Sequence, residues 1–73
     1  MAKSIYTKEY EAFLRKLRQA RMDAKLTQVE VANRLKKPQS FISKVESGER
    51  RVDVVELQKL ARLYKRSISF FED

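Results

Sequence analysis

Pro38 and Gly48 are the one proline and the one glycine in the 73-residue sequence. A chain with so few residues able to break a helix or turn a tight corner does not read as a turn-rich sheet protein. It is expected to fold into helices joined by short connections. At this length it should form one domain, residues 1–73, because so short a chain buries too little surface to divide into two cores.

Local signals place the helices. Tyr6, Tyr10, Phe13, Leu14, Leu17, Ala20 and Ala24 recur at three- and four-residue steps, which predicts an amphipathic first helix from about Thr7 to Ala24. Thr27 and Glu30 fit a capping box, with Leu26 placed to staple onto Val31. The same grammar returns where Asp53 caps, Glu56 follows three residues on, and Val52 precedes Leu57. The second helix then runs through "QVEVANRL", with Val31, Ala32 and Leu35 inward. It must stop before Pro38, which pushes Lys37 out of the α region, while Pro38 itself suits the opening turn of a third helix. The fourth helix covers roughly Val54 to Tyr64, with Val54, Leu57, Leu60, Ala61 and Tyr64 on one side. "SISFFED" makes a short fifth helix, about residues 68–72, that Ser67 or Ser69 would cap. The fold class is therefore an all-α, compact five-helix bundle.

Composition narrows the chemistry. The chain has no Cys and no His, which removes disulfides, thiol nucleophiles, zinc-finger ligands and the usual general base. No enzyme, cofactor or metal is expected. Seventeen Lys and Arg against ten Asp and Glu leave a formal charge of +7, which suits polyanionic partners. "MAKSIYTKEYEAF" lacks the apolar core of a signal peptide, and no stretch approaches the roughly 18 to 20 apolar residues of a membrane span. A cytoplasmic, nucleoid-associated protein without membrane contact is expected.

The segment "PQSFISKVESGERR" carries the most information about function. On a helix of 3.6 residues per turn, Phe41, Ile42 and Val45 span about 100°. Gln39, Ser40, Ser43, Lys44 and Ser47 fill roughly 140° of the other side, without an acidic residue; Glu46 lies at the edge, nearer the apolar stripe. Amides, hydroxyls and an ammonium are the groups that bond base edges: Gln bidentate to adenine, Lys to guanine acceptors, Ser to either. The alternative is a merely solvated face of a small bundle.

Together, "LTQVEVANRLKKPQSFISKVESGERR", preceded by "LRKLRQARMDA" and followed by "LQKLARLY", resembles the phage-repressor and Cro class of helix-turn-helix regulators, the Xre family. The resemblance covers about residues 13 to 72. The long first helix and "SGERR" look most like small stand-alone members such as restriction-modification controllers. It implies a motif at about residues 28–47 with the third helix in the major groove of an operator. Gln39, Ser40, Ser43 and Lys44 would be the base readers. Gln28, Lys36, Lys37, Ser47, Gly48, Arg50 and Arg51 would follow the phosphates; Arg50 and Arg51 could instead be solvent-exposed charges, but their adjacency to the reading helix favours phosphate contact. Arg21 and Glu46 match a structural salt bridge of the family. Where most relatives carry Gly, this chain has Lys25 and Lys36; either these lysines take the left-handed conformation at a cost of roughly 1 kcal/mol, or the turns differ.

Regulators of this kind bind as two-fold dimers. Tyr64, Ile68, Phe70 and Phe71 are the candidate homodimer interface, the alternative being that they cap the monomer's own core against Phe13. Occupancy of an operator would block or recruit RNA polymerase. The competing class is a protein-interaction module, antitoxin-like or scaffold, that uses the fold without reading DNA.

Overall fold

Side-chain caps start three of the helices. In the computed structural model, which describes residues 7–72, Thr7 Oγ1 accepts from the Tyr10 amide at 3.0 Å and opens α1, Lys8–Asp23. Tyr6, expected on the inward face of this helix, lies outside the described residues. Thr27 Oγ1 accepts from the Glu30 amide at 3.1 Å while the Glu30 carboxylate accepts from the Thr27 amide at 2.8 Å. This reciprocal box opens α2, Gln28–Leu35. Asp53 and Glu56 make the second such box, at 2.8 and 3.4 Å, and open α4, Val54–Tyr64. Between them lies α3, Gln39–Ser47. The chain ends in α5, Ile68–Phe71, where Ser67 stands at the N-cap position but its hydroxyl meets that of Ser69 at 2.8 Å instead of capping the helix.

Two expectations need correcting. Pro38 is the N-cap of α3, extended at φ −70° and ψ 155°, so the first turn starts on Gln39 and Pro38 supplies only its carbonyl, bonded to the Phe41 amide at 2.9 Å. Val54 is not inward: it is 63% exposed. Along α4, Leu57 is half-buried and burial becomes complete at Leu60, Ala61 and Tyr64, so the helix packs through its later turns and leaves Val54 in solvent.

The core gathers Leu14, Leu17 and Ala20 of α1, Val31 and Ala32 of α2, Phe41, Ile42 and Val45 of α3, and Leu60, Ala61 and Tyr64 of α4. Helix α1 packs against α3, α4 and α5, and α2 lies along α3. Phe71 closes the core, 4% exposed and edge-on to Phe13 with ring centroids 6.3 Å apart. Of the four residues assigned to a dimer interface, Tyr64 and Phe71 are thus absorbed by the monomer, Tyr64 being 5% exposed. A side chain already covered cannot bury the same area again, which leaves half-buried Ile68 and Phe70. Among the described residues no helix is long and apolar enough to cross a membrane.

A left-handed lysine is the C-cap of α2 and of α4, and another directly follows Ala24, the C-cap of α1. Lys25, Lys36 and Lys65 have φ of 60°, 59° and 60°. After each, the next amide reaches back to close the helix: Leu26 to the Arg21 carbonyl at 3.2 Å, Lys37 to Ala32 at 2.9 Å, Arg66 to Ala61 at 2.9 Å. Lys25 and Lys36 therefore keep the conformation that glycine would take without a Cβ clash, and Lys65 adds a third case that no sequence signal marks. Lys65→Gly is expected to raise stability by about 1 kcal/mol, and with it the melting temperature by about 4–8 °C in thermal denaturation. An unchanged or lower melting point would mean that the left-handed position is unstrained.

Candidate nucleic-acid interface

Helix α3 is held by one side, and that decides what its other side offers. Phe41, Ile42 and Val45 are 7%, 1% and 1% exposed, which turns Gln39, Ser40, Ser43, Lys44 and Ser47 outward, all of them exposed. No carboxylate interrupts this flank. Glu46 is turned the other way and is 5% exposed.

A carboxylate buried to that degree requires ionic and hydrogen-bonding partners. Arg21 of α1 meets it in a bidentate fork, Nε to Oε2 at 2.7 Å and Nη2 to Oε1 at 3.2 Å, and its Nη1 donates to the Leu26 carbonyl at 2.9 Å. The bond to Glu46 holds the Arg21 guanidinium even more firmly in its charged form, against the opposing effect of burial. Burial, together with the nearby Glu46 charge, pushes the Tyr64 phenol well above its ordinary 10.0. Tyr64 therefore stays neutral beside the pair.

The same carboxylate sets the direction of a relay to the exposed flank. An ionised Glu46 only accepts hydrogen bonds, so the Gln28 amide must turn its Nε2 toward Oε1, at 3.0 Å. That places Gln28 Oε1 toward Gln39, whose Nε2 donates to it at 3.1 Å. Gln39 is left with one N–H and its Oε1 unused among the described residues, the donor and acceptor set that fits adenine. Gln28 sits at the N-terminus of α2, where backbone N–H groups favour an anion. Its side chain also bridges α3, a role not legible in the sequence.

Three cations beside this flank, Lys37, Arg50 and Arg51, lie against aromatic rings. Phe41 lies between two of them, Lys37 Nζ at 5.1 Å and Arg50 Cζ at 4.9 Å from its centroid. The Arg51 guanidinium stacks over Tyr10 of α1 at 5.0 Å. Arg50 is also within 3.6 Å of Glu56, so part of its charge is offset, whereas Arg51 has no ion pair among the described residues. Gly48 is buried and left-handed, φ 89°, with its N–H on the Val45 carbonyl at 3.2 Å. It shapes the end of α3 and does not offer a free donor. Ser47 Oγ donates to the Lys44 carbonyl at 3.2 Å and accepts from the Glu49 amide at 3.4 Å. Lys36 is the outlier of the set, because it lines a groove between α2 and α4 and is not gathered beside Gln39.

One supporting residue escapes the sequence reading. Arg18 Nη1 donates to the Glu46 backbone carbonyl at 2.8 Å, so α1 grips the end of α3 through two arginines. Arg18 stands three residues before Arg21, and this shared helix face is the available signal.

Residues 17–71, from within α1 through α5, match the helix-turn-helix family. A search of curated proteins returns no match.

Proposed function

Because the chain belongs to the helix-turn-helix family of DNA-binding regulators, of the Xre type, we propose that residues 1–73 act as one domain that binds a palindromic operator as a homodimer, with α3 in the major groove. The observation that carries this reading is the exposed, acid-free flank of α3, Gln39, Ser40, Ser43 and Lys44, held outward by Phe41, Ile42 and Val45. Gln39 and Lys44 read base edges, and the serines adjust to either base type. Lys37, Arg50, Arg51, Ser47 and the N-terminus of α2 at Gln28 follow the sugar-phosphate backbone and set the register of α3. Ile68 and Phe70 supply the apolar centre of the dimer contact. Operator occupancy then depends on protein concentration through coupled dimerisation and binding, and it blocks or recruits RNA polymerase.

Selection from a random duplex library tests this reading. Enriched sites should contain two inverted half-sites with centres about 34–36 Å apart. Lys44→Ala should relax selection at one base pair of each half-site by about 1–3 kcal/mol. Arg51→Ala should weaken all sequences alike and flatten the salt dependence by about one phosphate contact. No enrichment from the library, or equal effects of both substitutions on selected and random duplexes, would contradict the proposal.

A further inference from the structure

Away from α3, a groove of about 450 Å³ lies between the end of α2 and the second half of α4, lined by Arg34, Leu35, Lys36, Lys59, Arg62 and Leu63. Four cations surround two half-buried leucines, and no acidic residue lines it. Among the described residues, none of the four cations has an ion pair or a side-chain hydrogen bond. Elsewhere Arg21, Arg50 and Arg66 are paired with Glu46, Glu56 and Asp23.

Two acids in this neighbourhood have the helical spacing to neutralise the groove, and both are committed elsewhere. Glu30 is four residues before Arg34, the spacing of a helical ion pair, but its carboxylate accepts from the Thr27 amide at 2.8 Å. Glu56 is three residues before Lys59, and it is held between the Asp53 amide and Arg50. The caps hold both carboxylates off the groove lining, which carries four cations and no acid.

We propose that this groove docks an acidic, amphipathic protein segment, its carboxylates on Arg34, Lys36, Lys59 and Arg62 and its apolar side chains on Leu35 and Leu63. Two observations favour a protein segment over a continuation of the DNA track. The floor is apolar, which suits aliphatic anchors and offers nothing to a sugar-phosphate backbone. Next along α4, Asp53 and Glu56 line the adjoining hollow together with Leu35, Lys37 and Lys59. A duplex extended from Arg50 into the groove would bring its phosphates close to these two carboxylates, a repulsion that a short peptide confined to the groove lining would avoid. Cations around an apolar seat also give the arrangement expected of a docking site: charge for steering and orientation, leucines for burial.

The test uses the full chain and a fluorescently labelled helical peptide of alternating glutamate and leucine pairs, with a matched peptide carrying glutamine for glutamate. At physiological salt the glutamate peptide should bind at least about tenfold more tightly than the glutamine peptide. Lys59→Glu with Arg62→Glu should abolish this preference, and Lys59→Gln with Arg62→Gln, a change with little effect on helix propensity, should weaken it. A charge-matched control on exposed α1 residues, Lys8→Glu with Arg15→Glu, should leave peptide affinity within about threefold, because charges beyond a Debye length are screened. In an NMR titration the amides of Leu35 and Leu63 should shift with the wild-type chain.

Equal losses in the groove and control variants would reduce the effect to net charge and overturn the proposal, as would failure of the glutamate peptide to bind. A third overturning result is that a short random duplex displaces the peptide and the groove variants lose affinity for that duplex, which would assign the groove to DNA. Peptide binding by the groove without any operator selection would instead sink the DNA-reading proposal and leave this one standing.

Discussion

Arg21→Ala is expected to be the most damaging single surface-accessible substitution, lowering the melting temperature by roughly 12 °C or more and removing operator selection with it. The side chains of Arg21 and Glu46 are 15% and 6% exposed, so truncation strands a buried carboxylate, at a cost of about 3–5 kcal/mol. For a chain of this size each kcal/mol corresponds to about 4–8 °C. Stability and function can be separated by replacing both partners. Arg21→Leu with Glu46→Met removes both buried charges and fills similar volume, and such replacements are often neutral or stabilising. The double variant should regain most of the lost melting temperature. It should not regain selection, because Gln28 loses the acceptor that sets its amide, and Gln39 loses the orientation passed on to it. Thermal melts and duplex titrations on the two variants make the comparison. A double variant that melts and selects like the wild type would show that the pair is only a structural tie.

Gln39→Ala should leave melting nearly unchanged and still abolish most of the discrimination between operator and random DNA. The side chain is exposed, so its removal exposes no core and opens no cavity. Loss of a bidentate base contact costs about 1–3 kcal/mol, and a homodimer makes the contact in both half-sites, which gives about 2–6 kcal/mol in total. Even the lower bound is about 30-fold in affinity. The doubling is itself informative. Titration against a full palindrome and against a single half-site should show the penalty on the palindrome at twice that on the half-site. Equal penalties would argue for a monomer, and no penalty on either would remove Gln39 from the reading set.

Much of the fold is legible along the chain. The α2 and α4 starts were marked by Thr27 with Glu30 and Asp53 with Glu56, and each cap closes within its own four residues. Periodicity likewise separated Phe41, Ile42 and Val45 from the polar flank of α3, and the matched family supplies the same architecture. Periodicity misplaced Val54, since a spacing rule assigns a face but does not say how far neighbouring helices extend to cover it. The C-terminal cluster of Tyr64, Ile68, Phe70 and Phe71 fitted either a partner or the monomer's own core in the sequence, and Phe71 packs edge-on to Phe13 within the monomer.

The sequence by itself determined where α1, α2 and α4 begin and which flank of α3 can face outward, because caps and amphipathic stripes are interactions among residues three or four apart. The tertiary structure alone decided the direction of the Gln28 amide, the seats of Lys37, Arg50 and Arg51 on Phe41 and Tyr10, and the separation of Lys36 into a groove with Lys59 and Arg62. These depend on distances and bonding capacity between segments far apart in the chain, and no local pattern records how such segments approach one another.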